Sequence, residues 1–213
     1  MTNQIWVGRI KTFYNEMNRL TCDDDFIDFT RKKITHGTPH VFHGREDDYY
    51  NFRKEIAQKY KSSFHDIHIT GSAKLGFSYF KVKEFSFDSD IDTAIVSSSS
   101  FDYIMDFIYE FQMLLKRKRL TVTEDELNSY HDFLEYIALG WIRPDLLPKI
   151  FNTKSLRDNW FSFFHGLSYG KSTVGNYKVT AGIFKSYEHL EKYTINSLQL
   201  SLRKNSQKVN SLK

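Results

Sequence analysis

Two short stretches of this 213-residue chain hold residues whose types and spacing could do chemistry together, Gly71-Ser72 and Asp90-Ile91-Asp92. Alternate residues of a strand share a face, so Asp90 and Asp92 would stand side by side with Cα atoms roughly 6 to 7 Å apart. Two carboxylates that close repel unless a cation offsets them, and hard oxygen donors in a pair suit Mg²⁺ or Mn²⁺. Gly71 lets a ligand approach the backbone closely, and Ser72 adds a hydroxyl donor at a turn that opens a helix. That turn suits a phosphate, and the acid pair suits the metal that would accompany it.

The flanking sequence supplies the elements that must position them. Ile67 and Ile69 alternate with polar neighbours as in a half-buried strand, which Gly71 breaks. Ile91, Thr93 and Ile95 alternate in the same way and predict a strand that starts at or just before Asp90. The spacing predicts further helices over residues 4–20, from Phe26 to Ile34, over 46–60, from Phe101 to Arg119 with Ser100 as its cap, from Thr123 to Gly140, over 155–165 and from Ile183 to Leu202. In the second of these Asp23 or Asp24 would be the cap, and in the fifth Leu127, Tyr130, Leu134 and Ile137 would point inward. In the last, Phe184, Tyr187, Leu190 and Leu198 would point inward, and the tail from Arg203 is expected to fray. Tyr177 to Ala181 reads as a late strand.

Strand, Gly-Ser turn, short helix, then Asp-x-Asp on the next strand resembles the nucleotidyltransferase superfamily with a DNA polymerase β-like core. The resemblance spans about thirty residues, from Ile67 to Val96. It implies that Asp90 and Asp92 bind Mg²⁺ (or Mn²⁺), and that Gly71 and Ser72, with Lys74, hold the terminal phosphates of a nucleoside triphosphate. Tyr79 to Glu84 reads as an inserted loop or hairpin. The family usually places a third carboxylate on a later strand. Here that strand offers Lys178, Thr180 and Gly182 on one face, which leaves Asp88 or Glu188 as substitutes. The resemblance therefore implies either transfer of a nucleotidyl group to an acceptor hydroxyl (RNA end, nucleotide or protein) or an inactive nucleotide-binding or regulatory subunit that works with a partner protein. Small members of the superfamily occur in toxin, antitoxin and phage-defence systems.

Other residue groups carry less chemistry. Gly166 to Ser172 falls one residue short of the four that a P-loop needs between its glycines, yet Lys171 would reach the phosphates if this loop folded over Gly71. His36, His40 and His43 read as loop histidines rather than metal ligands. Trp141 and Arg143 could meet a base and a phosphate, although anchoring a loop to the core is the better reading. Lys116 to Arg119 complement a helix C-terminus.

Composition bounds the rest. A content of 40% hydrophobic and 16% aromatic residues predicts a folded chain, and three prolines argue against long linkers. The net charge of +4 permits nucleotide or nucleic-acid partners without demanding them. Cys22 stands alone, so no intrachain disulfide forms. With no long apolar run, the chain is expected to be cytoplasmic and free of the membrane. The expected architecture is α+β: one unit with a mixed sheet in a core of about residues 46–120, and a helical part of about 121–213.

Overall fold

The computed structural model describes residues 2–148 and 151–212. Among them are eight α-helices and two sheets, an α+β arrangement. The chain runs α1 (Thr2–Met17), α2 (Asp23–Thr30), α3 (Glu46–Tyr60), β1 (Ile67–Thr70), α4 (Gly71–Leu75), β2 (Phe77–Ser78), β3 (Lys83–Glu84) and β4 (Ile91–Val96). It continues through α5 (Ser98–Lys116), α6 (Glu124–Ala138), β5 (Trp141–Ile142), α7 (Phe151–Leu167), β6 (Val179–Phe184) and α8 (Tyr187–Asn210). The four-stranded sheet has the order β1-β4-β6-β5, with β4 and β6 parallel and the outer pairs antiparallel. The part expected to be mainly helical thus contributes two strands, β5 and the central β6, the latter two residues past the start expected at Tyr177. β2 and β3 form the separate hairpin expected between the turn and the acid pair.

The strands owe their two faces to strict alternation. Ile67, Ile69, Ile91, Ile95, Val179 and Ile183 are buried against α3, α5, α6 and α7 in the main core. Ala94, Val96 and Phe184 face the other way and bury with Leu190 of α8. A third cluster joins Ile10, Phe13 and Met17 of α1 to Phe29, the hairpin's Phe77 and Val82, and Leu198 and Val209 of α8. α8 therefore ties the sheet to the hairpin.

Several boundaries differ from the expectation for local reasons. α5 starts three residues early because Ser97, not Ser100, is its cap: the Ser97 hydroxyl accepts from the Ser100 amide at 3.1 Å. α2 starts at Asp23 with Cys22 as cap, and Asp25 accepts from the Thr21 and Cys22 amides. Past Thr30 the chain continues as a π-turn over Arg31–Thr35. Ile183 and Phe184 complete β6 rather than open α8, whose cap is Ser186. The tail does not fray at Arg203. It stays helical to Asn210, with Asn205 and Val209 buried. Tyr187 and Leu127 were expected inward and are exposed.

α6 follows its sequence signal closely. The Thr123 hydroxyl accepts from the Glu126 amide at 3.2 Å while Glu126 accepts from the Thr123 amide at 2.9 Å. Thr123→Ala is expected to cost ~1 kcal/mol of stability, read as a shift in the urea midpoint at unchanged slope.

β5 is short because of Pro144. Continuing the register of Ile142 with Ile183 sets Pro144 opposite Ala181, and a proline has no N–H to extend the ladder. The edge of β6 beyond that point opens into a cleft.

Candidate nucleotide site

β4 carries the acid pair, and its partners decide what stands beside it. Thr70 lies opposite Asp92 on the antiparallel side, and Thr180 lies opposite it on the parallel side. Extending the β4–β6 register by one residue from Ile91 and Val179 places Lys178 next to Asp90. These five residues share the sheet face that α8 crosses. Thr180 Oγ1 donates to Asp92 Oδ1 at 2.9 Å, and Lys178 Nζ lies 3.4 Å from Asp90 Oδ2.

β1 ends where Gly71 turns the chain into α4. Gly71 has φ of +62°, and a Cβ built on it would sit 3.0 Å from Asp92 Oδ2. The turn and the acid are therefore in direct apposition, and glycine satisfies both the left-handed backbone and the close approach. Gly71, Ser72, Asp90 and Asp92 line one cleft of about 960 Å³, as do Thr180 and Lys178. The hairpin's Lys81 and Lys83 form part of its wall, and Tyr193 and Ser197 of α8 another.

Burial lifts the Asp92 carboxyl above its ordinary value, and the charge on Asp90 adds to that. The hydrogen bond from Thr180 and the charges on Lys81 and Lys178 act in the opposite sense without cancelling it. Although water reaches Asp92, protein atoms ring it at the floor of the cleft.

Two of the expected phosphate ligands stand elsewhere. Lys74 is buried, and its ammonium donates to the carbonyls of His36 and Gly37, the latter at 2.6 Å. Burial lowers its pKa to about 8. It clamps α4 to the π-turn and does not line the cleft. The reason is local: α4 is only five residues long, and the loop at His36 and Gly37 comes close enough to take the ammonium. Lys171 lies with Nζ 3.2 Å from His165 Nδ1, also outside the cleft lining. Neither remaining acid joins the pair. Glu188 bonds Lys192 on the exposed side of α8, and Asp88 lines the cleft without completing a cluster.

Among the described residues, no group of three His, Cys, Asp or Glu side chains is placed to hold a metal ion. Asp90 and Asp92 alone suit a cation of the Mg²⁺ kind, which takes one or two carboxylates and completes its shell with phosphate oxygens and water. They do not form an all-protein cage. Such a pair suits a divalent cation whose remaining ligands come from outside the protein.

Trp141 and Arg143 serve as anchors. The Trp141 ring stacks on Phe184 at 5.6 Å with an interplanar angle of 1°, and lies 4.5 Å from the Tyr193 ring. Arg143 forks onto Asp145 and donates to the Tyr136 hydroxyl at 3.1 Å. The indole N–H of Trp141 is buried above Gly182 without a protein partner.

Against models of known protein families, curated proteins and solved structures, the chain has no match. No described helix is long and apolar enough to cross a membrane. Function must therefore be argued from the cleft.

Sequence reasoning found the Gly-Ser turn and the acid pair but assigned no role to Lys178, Thr180 or Lys81. The alternation that puts Lys178, Thr180 and Gly182 on one face was legible. Its pairing with Asp90 and Asp92, 88 residues away, was not.

Proposed function

We propose that the cleft binds a nucleoside triphosphate through Gly71, Ser72 and one divalent cation on Asp90 and Asp92, and transfers its nucleoside monophosphate to an acceptor hydroxyl. The observation that supports this most is the apposition of the Gly71 turn and the Asp92 carboxylate on one cleft floor. In the reaction, an O–P bond forms between the hydroxyl and the α-phosphorus as the α–β bridge breaks. Pyrophosphate leaves, and the hydroxyl proton passes to solvent.

This chain's residues bind and orient. Gly71 and Ser72 receive the phosphate chain at the turn, where no side chain keeps an anion from the backbone. Thr180 fixes the rotamer of Asp92, and Thr70 Oγ1, 3.3 Å from the Asp92 carbonyl, ties β1 to β4 beneath it. A Mg²⁺ ion held by Asp90 and Asp92 supplies charge neutralisation at the phosphate oxygens and a lowered pKa for the acceptor hydroxyl. The acceptor class, whether an RNA end, a nucleotide or a protein, is set by whatever fills the cleft along the open β6 edge.

A second reading is a nucleotide-binding subunit without turnover that acts on a partner protein. It is favoured by one observation: Lys178 and Thr180 occupy the two positions from which a third acid on β6 would reach the pair.

Pyrophosphate release separates the two. It is measured with each ribonucleoside triphosphate and Mg²⁺ or Mn²⁺, with and without RNA, for wild type and for Asp90→Ala/Asp92→Ala. Release that disappears in the double variant supports transfer. Nucleotide binding with no release under any condition supports the binding subunit, and no binding at all sinks both.

A further inference from the structure

We propose that Lys178, together with Lys81, forms an ammonium subsite for the phosphate chain, so that the cleft takes a nucleoside triphosphate with a single divalent cation. The inference rests on the nucleotide-site reading above and specifies how that site differs from an all-carboxylate one.

Strand register comes first. β6 is the parallel neighbour of β4, and any side chain at position 178 or 180 on this face meets the acid pair. An acid at either position would give three carboxylates, enough to bracket two cations. The chain instead places an ammonium beside Asp90 and a neutral hydroxyl on Asp92. Thr180 spends its hydrogen on Asp92 Oδ1 and adds no negative charge. A second divalent cation would have to lie against the Lys178 ammonium with no third carboxylate on β6 to hold it.

The second wall carries Lys81. It sits in the turn of the β2–β3 hairpin and lines the same cleft, and its charge acts on Asp92 together with that of Lys178. The hairpin is held in place before any ligand arrives. Tyr14 Oη donates to the Tyr79 carbonyl at 2.8 Å, Asn205 Nδ2 donates to the Phe80 carbonyl at 2.8 Å, and Tyr79 Oη bonds Ser197 at 3.1 Å. α1 and α8 thus fix the backbone that leads into Lys81. Two lysines from separate elements, the hairpin and β6, line the cleft that holds the carboxylates.

Lys178 is also free to change partner. Its side chain is 53% exposed and that of Asp90 43%, and an ion pair this open to water contributes little to stability. A phosphate oxygen can draw the ammonium from Asp90 and leave that carboxylate to the one cation. Four groups then divide the work: two carboxylates hold the metal, and two ammonium groups hold the phosphates.

The test is calorimetry with ATP and with inorganic tripolyphosphate, in Mg²⁺ and in EDTA. Manganese is counted by electron paramagnetic resonance on the ATP complex. Wild type is compared with Lys178→Gln, Lys81→Gln and the Lys171→Gln control, whose side chain lies outside the cleft; melting curves check that each folds. The expected results are one Mn²⁺ per chain, tripolyphosphate binding that persists in EDTA, and a loss of about tenfold in that binding for Lys178→Gln, the effect of one charge-assisted hydrogen bond. Lys81→Gln weakens it in the same direction, and Lys171→Gln leaves it unchanged. Two Mn²⁺ per chain, or a Lys178→Gln variant that binds as wild type does, overturns the subsite while leaving the nucleotide reading in place. No binding of ATP to wild type in either condition overturns both.

Discussion

Asp92→Asn is expected to abolish nucleotide turnover and, at neutral pH, to raise the melting temperature. The two effects have one cause. Burial and the neighbouring Asp90 hold the Asp92 carboxyl above its ordinary value, against the pull of Thr180, Lys81 and Lys178. A carboxyl whose pKa is higher folded than unfolded binds more protons in the native state. Stability therefore falls as pH rises from the ordinary carboxylate range through the raised value, and the whole cost is present at neutral pH. Asparagine carries no charge there and keeps an oxygen to accept from Thr180 Oγ1. Because water reaches Asp92, the gain is small, ~2 °C. On the proposed function the loss of turnover is large, more than about 100-fold, because one of the two carboxylates that would hold the cation is gone. Melting curves from about pH 4 to about pH 8 check the sign: the gap between variant and wild type narrows toward acid. Adding Mg²⁺ with ATP raises the wild-type melting temperature by more than it raises the variant's. A variant that melts below wild type at neutral pH would show that Asp92 is a structural carboxylate, and the reading of the cleft would fall with it.

What the sequence made legible was local. β1, the Gly71 turn and β4 follow from a period of two and a glycine, signals that lie within four or five residues. The α6 capping box is a reciprocal contact over three residues. α3 matches its expected span of 46–60 because Phe52 and Ile56 fall on one face of it. In each case the interaction that decides the structure is close in sequence.

The misses share the opposite property. Lys74 follows the Gly-Ser turn by only two residues, but its partners are carbonyls on the loop at His36 and Gly37. No pattern around Lys74 encodes them. The end of α8 reads as polar because Ser201 and Asn205 are polar. They are buried all the same, since the hairpin returns over them and offers the carbonyls of Tyr79 and Phe80. Lys178 gained its meaning only when β6 paired with β4. A polar residue is read as exposed until its partner is known, and here the partners arrive from far along the chain.

Gly182 is the position on the cleft wall where one methyl group is expected to do large structural damage. A Cβ there would sit 2.3 Å from Trp141 Nε1 and 3.2 Å from the Ile142 carbonyl. Trp141 has little room to yield. Its ring is stacked on Phe184, edge-on to Tyr136 at 5.0 Å and packed on Tyr193, so the methyl must displace either the indole or β5. Overpacking of this kind costs about 1–3 kcal/mol, and losing the aromatic stack adds about 1 kcal/mol. Gly182→Ala should therefore lower the melting temperature by about 5–10 °C for a chain of this size. A second substitution tests the cause. Trp141→Phe removes the atom that collides, and the indole N–H it deletes has no protein partner to lose. The double variant should recover part of the loss, a coupling that independent sites do not show. If the two changes merely add, the clash is not with the indole and the account of Gly182 is wrong. If the coupling is found, the wall of the cleft beyond Thr180 is set by a glycine opposite Ala94 that admits the tryptophan ring.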